Sequence, residues 1–258
     1  MSKNYWALIL GGSSGLGLAT AKKLAHHGYN LIIIHRDRRV DMEHIQLAFD
    51  EIRQTGVLLY SFNKDAINKN VREQLIAFIQ QTIPAGSTVS VLVHSIAKGS
   101  LKALDGKSAL TTQDLLTTFQ AMALSLYDWT KALMENKLFA KDTRVISFTS
   151  EGSSKAWKHY GAVAVAKSSI EALTRQIAIE FAGEGIKANC IQAGITETKS
   201  FKMIPGNEEI KKHYLKNSPF GRLTTPEDVA NAVYLLTTPE AQWINGTVIK
   251  VDGGESLL

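Results

Sequence analysis

Short runs of consecutive apolar residues alternate along this chain with longer amphipathic stretches. The apolar runs fall at residues 6–10, 31–35, 57–62, 89–94, 145–148, 188–192 and 247–251. They lack the in–out alternation of a half-exposed strand, as expected of strands buried on both faces. The amphipathic stretches cover residues 16–26, 42–54, 71–81, 112–135, 168–181 and 227–236. This alternation predicts an α/β fold, a doubly wound parallel sheet of about seven strands with helices on both faces. No repeat, low-complexity tract or linker breaks the rhythm, so a single domain is expected over residues 1–258. Only residues 199–225 depart from it, with Pro205, Gly206 and Pro219 among mixed apolar residues and lysines. A long irregular excursion inside a compact domain reads as a functional lid.

Composition narrows the classes further. With 45% hydrophobic and 21% charged residues, the chain is not disordered. Its one cysteine, Cys190, has no partner for a disulfide and is expected to be a reduced, buried thiol. A net charge of +5 is too mild to imply nucleic-acid binding. No apolar run approaches the roughly 20 residues of a membrane-spanning helix. Met1-Ser2-Lys3-Asn4 leads directly into the first run, without a signal-peptide pattern. A cytoplasmic location with no membrane partner is expected.

Chemistry enters where the first run ends, at Gly11-Gly12-Ser13-Ser14-Gly15-Leu16-Gly17. Glycines there let the backbone turn tightly and approach a pyrophosphate. The helix behind them offers free N–H groups and the positive end of its dipole. Gly11, Ser13, Ser14, Gly15, Leu16 and Gly17 are therefore candidate dinucleotide contacts, and the strand–turn–helix setting makes the motif specific. The second run ends at His35, where an acid would bind the adenosine ribose. It is followed by Arg36, Asp37, Arg38 and Arg39. Guanidinium groups grip a 2′-phosphate through charge-assisted forked bonds. NADPH is thus the expected cofactor, with His35, Arg36, Arg38 and Arg39 near its phosphate; a solvated charged turn is the alternative.

The Gly-x3-Gly-x-Gly spacing resembles that of the short-chain dehydrogenase/reductase family. Most of that family carries Tyr and Lys, separated by three residues, on the helix after the fifth strand. Tyr60/Lys64 and Tyr127/Lys131 have this spacing but lie elsewhere. In the right place stands Tyr160-Gly161-Ala162-Val163-Ala164-Val165-Ala166-Lys167, with Val163 at the usual position of the acid. On a helix both spacings keep the pair on nearly one face, but the longer one moves Tyr about 4.5 Å along the axis. Conjugate reduction of an α,β-unsaturated thioester sends hydride to the β-carbon while charge develops on the carbonyl oxygen farther along. Its acid must stand farther from the nicotinamide, and the longer spacing fits that need.

The run His94-Ser95-Ile96-Ala97 stands where typical members have Asn-Asn-Ala-Gly. With Tyr-x6-Lys and Asn189-Cys190-Ile191-Gln192-Ala193-Gly194, it resembles the enoyl-acyl-carrier-protein reductases of bacterial fatty-acid synthesis. The ordinary glycine turn resembles their third, NADPH-dependent type, and the likeness runs through Val251-Asp252-Gly253-Gly254. The resemblance implies a Rossmann fold. It implies Tyr160 at the enolate oxygen, Lys167 on the nicotinamide ribose and acidifying the phenol, and Ser150 as the catalytic serine. It implies cofactor contacts from Asp65, Ala66, His94, Ser95, Ile96, Ala193, Gly194, Thr196 and Thr198. Ala97, Lys98, Trp157, Phe201, Met203 and Ile204 are candidate substrate contacts, Gln120 is the nearest match to the family's catalytic Asn, and no metal site is expected.

The activity this implies is NADPH-dependent reduction of an enoyl thioester, carried on acyl carrier protein or coenzyme A. A 3-ketoacyl or other carbonyl reductase of the same family, and a non-catalytic dinucleotide-binding regulator, stay open. Lys202, Lys211, Lys212 and Lys216 suit an acidic acyl carrier protein as well as a solvated face. The family usually forms homotetramers or homodimers, and Leu126, Trp129 and Leu133 are candidates for such a helix interface.

Overall fold

The computed structural model describes residues 5–84 and 87–257. Residues 1–4, on which the signal-peptide reading rests, lie outside the described residues. Among the described residues seven strands form one sheet: β1 (Tyr5–Leu10), β2 (Asn30–His35), β3 (Leu59–Asn63), β4 (Thr88–His94), β5 (Phe139–Ser150), β6 (Ile186–Ala193) and β7 (Val248–Val251). Their order is β3-β2-β1-β4-β5-β6-β7, and every neighbouring pair is parallel. The helices are α1 (Gly15–His26), α2 (Met42–Arg53), α3 (Lys69–Thr82), α4 (Thr112–Phe119), α5 (Ser125–Glu135), α6 (Gly161–Glu180), α7 (Lys199–Lys202), α8 (Asn207–Asn217) and α9 (Pro226–Thr237). This is the expected single-domain Rossmann-like fold.

The continuous apolar runs have a direct structural cause. Side chains alternate across a strand, and both faces of this sheet are covered. From β1, Trp6, Leu8 and Leu10 join a core against α3, α5 and α6. Ala7 and Ile9 join the opposite core, against α1, α2 and α9. The chain reverses its direction of winding between β1 and β4, and a crevice opens there at the carboxyl ends of the strands.

The largest departures from the sequence pattern lie in four stretches. The stretch 112–135 is not one uniform helix, because a π-helical turn at Gln120–Leu124 separates α4 from α5. β5 begins earlier than the apolar run, because Arg144, buried in it, is held by Asp142 and by the Leu236 carbonyl at 2.9 Å. α6 begins earlier than residue 168, with Tyr160 as its N-cap. The excursion 199–225 is not irregular throughout, since it contains α7 and α8. The proposed interface residues are also corrected: Leu126, Trp129 and Leu133 are fully buried in the chain's own core. Trp129 donates its indole N–H to the Ala66 carbonyl at 2.9 Å.

Candidate active site

A cleft of about 640 Å³ lies over the switch point. That is ample for a bound cofactor with its substrate. One end is the turn from β1 to α1. Gly17 has to be glycine, since a Cβ there would sit 2.2 Å from the Gly11 carbonyl oxygen. The turn thus folds back on itself and presents Gly11, Ser13, Ser14, Gly15 and Leu16 to the cleft. Gly17 supports the turn from beneath, outside the lining. α1 starts with no side-chain cap and no acid in its first turn. Amides at such a terminus suit a phosphate. Thr198, at the head of α7, closes over this turn; a Cβ on Gly15 would lie 3.2 Å from its methyl group.

The end of β2 forms the next wall. His35 lines this wall, buried, with its Nδ1 2.8 Å from Asp37 Oδ2. Arg36 lines the cleft and donates to Asp65 Oδ2 at 2.8 Å. Arg38 and Arg39 stand outside the lining. Arg38 points to solvent, 82% exposed, and pairs with Asp41. One guanidinium of the three therefore lines the cleft. Asp65 and Ala66 line the same wall.

β4 delivers His94, Ser95, Ile96, Ala97 and Lys98 to the cleft. The His94 ring is buried, with Nε2 2.7 Å from Ser125 Oγ. Burial, and then the charge of Lys167, push its pKa down to about 3. His94 is a neutral structural group. β6 supplies Ala193, and the segment beyond it supplies Gly194, Thr196 and Thr198.

Ser150, Tyr160 and Lys167 meet in the centre. Ser150 Oγ lies 3.2 Å from Tyr160 Oη. The phenol rests against the backbone of Gly152, where a Cβ would come within 2.5 Å of its ring. Burial raises the Tyr160 pKa, opposed by the bond to Ser150, so the phenol stays protonated. Lys167 is buried and donates from Nζ to the Phe148 carbonyl at 2.6 Å. Burial lowers its pKa to about 8, against the pull of Cys190 and Glu171. The Tyr160 pKa is moved up by burial, opposite to the acidification expected from Lys167. Val163 also lines the cleft, at the station between Tyr160 and Lys167.

The far end is largely apolar. Trp157, Phe201, Met203 and Ile204 line it together with Leu101, Met122 and Ile210. Gln120 does not reach the cleft. The π-helical turn brings Met122 there instead, so a thioether replaces the polar side chain expected from α4. Cys190 lies in the core, outside the lining, and burial pushes its thiol up to about 12. Of the lysines considered for a carrier protein, Lys211 is paired with Glu197, while Lys202, Lys212 and Lys216 are exposed. Tyr127 and Lys131 interact with each other, with Nζ 5.9 Å from the ring centroid, outside the cleft lining.

Sequence reasoning missed a polar corner made by Glu151, Tyr214 and Glu255. Tyr214 donates to Glu151 Oε2, and Lys155 lies 2.6 Å from the other oxygen of that carboxylate. Glu255 accepts from the Ile195 amide at 2.7 Å. Adjacency to Ser150 could have flagged Glu151; nothing local marks Tyr214. Among the described residues there is no His, Cys, Asp and Glu cluster able to hold a metal ion, and no helix is long and apolar enough to cross a membrane.

A doubly wound sheet with a glycine turn and a Tyr–Lys–Ser cluster at its switch point defines a dinucleotide-dependent oxidoreductase. The chain belongs to the short-chain dehydrogenase/reductase family, and a family model described as Enoyl-(Acyl carrier protein) reductase matches residues 11–256. It is similar to the 7alpha-hydroxysteroid dehydrogenase of Paraclostridium sordellii, at 29% identity over 99% of this chain and 93% of that one. The 3-oxoacyl-(acyl-carrier-protein) reductase of Chlamydia muridarum is 26% identical over 97% of each chain. In fold it matches the enoyl-(acyl-carrier-protein) reductase (NADH) of Aquifex aeolicus VF5, with a TM-score of 0.83 and 23% identity over 100% of this chain and 98% of the other. A short-chain dehydrogenase of Burkholderia cenocepacia J2315, in complex with NADP, gives a TM-score of 0.84 at 22% identity over 99% of each chain. The protein is thus an oxidoreductase of the short-chain dehydrogenase/reductase type.

Proposed function

We propose that the protein reduces the α,β double bond of an enoyl thioester with NADPH. The observation that carries this reading is the side chain of Val163, which lines the cleft one turn before Lys167, where a ketone reductase of this family keeps its acid. The proton donor stands instead at Tyr160, displaced along α6. The matching family model is consistent with it.

NADPH, when bound, supplies a hydride. The amides of the Ser13–Leu16 turn would hold its pyrophosphate, Arg36 its 2′-phosphate and Lys167 its nicotinamide ribose. Tyr160, protonated and desolvated, donates to the thioester carbonyl oxygen as negative charge develops there. Ser150 Oγ, 3.2 Å from that phenol, supports the same oxygen. Leu101, Met122 and Val163 on one side and Phe201, Ile204 and Ile210 on the other exclude water and take the acyl chain.

A carbonyl reductase is the second reading. The Ser150–Tyr160 pair supports it, as do relatives named for 3-oxoacyl and hydroxysteroid substrates. Crotonyl and acetoacetyl thioesters, assayed by NADPH absorbance, separate the two. The first reading expects oxidation with crotonyl thioester and a loss of at least about 100-fold in Tyr160→Phe. Turnover of the acetoacetyl thioester alone would establish the second.

A further inference from the structure

The polar corner joins two parts of the cleft that are far apart in sequence. α8 runs over the substrate end, and Tyr214 is its buried residue among the described residues. The remaining side chains of α8 are exposed or half-buried, so this phenol is its one buried anchor among the described residues, beside the exposed-side pair of Lys211 with Glu197. That phenol donates to Glu151, the residue directly after Ser150. The Tyr214 ring also leans on Trp157, with centroids 6.0 Å apart.

Glu151 belongs to the same short loop that seats the catalytic phenol. Its backbone carbonyl accepts from the amides of Ser154 and Lys155 at 3.0 and 2.9 Å. Ser168, on α6, donates to the Ser153 carbonyl at 2.6 Å. Gly152 touches the ring of Tyr160. A shift of this loop therefore moves the surface on which Tyr160 rests and the strand end that bears Ser150.

We propose that Tyr214 is a positioning residue: by donating to Glu151 it holds α8 over the cleft and fixes the loop that seats Tyr160. Closure of the substrate end and presentation of the proton donor are then a single event. A bond to a carboxylate is strong enough for this, since its loss shifts an equilibrium by about tenfold or more. The proposal rests on the reading of Tyr160 as the proton donor, but not on which thioester is reduced.

Tyr214→Phe tests it, because it keeps the ring against Trp157 and removes only the hydroxyl. Hydrogen–deuterium exchange of the full-length protein is expected to speed up several-fold across residues 151–160, although the substitution lies on α8. With whichever thioester turns over, kcat is expected to fall about tenfold, while the dissociation constant for NADPH stays within about twofold. Glu151→Ala should reproduce this loss, Glu151→Gln, which keeps an acceptor oxygen, should recover most of it, and the double variant Y214F/E151A should be no worse than either single one. Unchanged exchange at 151–160, or additive losses in the double variant, would overturn the proposal. Tyr160→Phe, measured alongside, distinguishes the outcomes: full activity there removes the proton-donor reading, while the exchange result decides the coupling independently.

Discussion

At the scale of single residues, burial sets the chemistry of the cleft more than charge does. Lys167 is the clearest case. Its ammonium is buried, its pKa is lowered to about 8 and its Nζ is held by the Phe148 carbonyl. In the proposed role of Lys167 at the ribose hydroxyls, the cation is lost as pH rises through that value. The profile of kcat/KM for NADPH, which reports the free enzyme, is expected to fall above about pH 8, approaching tenfold per unit. A profile flat to pH 10 would show that the lysine stays charged. These three central residues were legible in the sequence because spacing along α6 and the strand end before it place them. The state of the phenol was not. Tyr160 was expected to be acidified by Lys167, yet burial holds it protonated, and burial arises from segments remote in sequence.

At the scale of elements, the end of β2 shows how a charge run separates once folded. The run holds three arginines, but a turn has an inside and an outside. Arg36 faces the cleft beside Asp65, while Arg38 faces solvent with Asp41. Arg36→Ala is expected to weaken NADPH binding by about 10- to 100-fold, as loss of charge-assisted bonds does. Arg38→Ala should stay within about twofold, and titration of NADPH fluorescence measures both. The central strands β1, β2, β4 and β6 were legible because each is buried on two faces and so reads as a largely apolar run, whereas the edge strands β3 and β7 are only half-buried. The helices of the lid were not legible. α7 has four residues, and α8 buries Tyr214 without an apolar stripe. The π-helical turn after α4 is likewise invisible to periodicity, and it exchanges Gln120 for Met122 at the cleft wall.

At the scale of the whole molecule, two cores on opposite faces of one sheet hold a cleft whose lining runs from Gly11 to Glu255. Stability and site therefore meet at Glu255. Burial first, then the charges of Asp252 and Glu151, raise its pKa from 4.5 to about 7, against the Ile195 amide. A carboxyl raised in the folded state contributes stability below about pH 4.5 and loses it as pH rises through about 7. Glu255→Gln keeps an acceptor for Ile195 and carries no charge. Its Tm is expected to exceed that of the parent by about 3 °C or more at pH 8, with the two converging at pH 4.5. Thermal denaturation across pH checks this, and a parallel offset at all pH values would refute it. The side chain of Val163 has a consequence of another kind. Residues 160 and 163 are two seats on one rail, both open to the same chamber. Val163 packs with Ala121, Met122 and Ala166, so a phenol in that seat leaves the sheet as it is but displaces this small cluster. Passage from one chemistry to the other along such a scaffold takes repacking of that cluster as well as the exchange of two side chains.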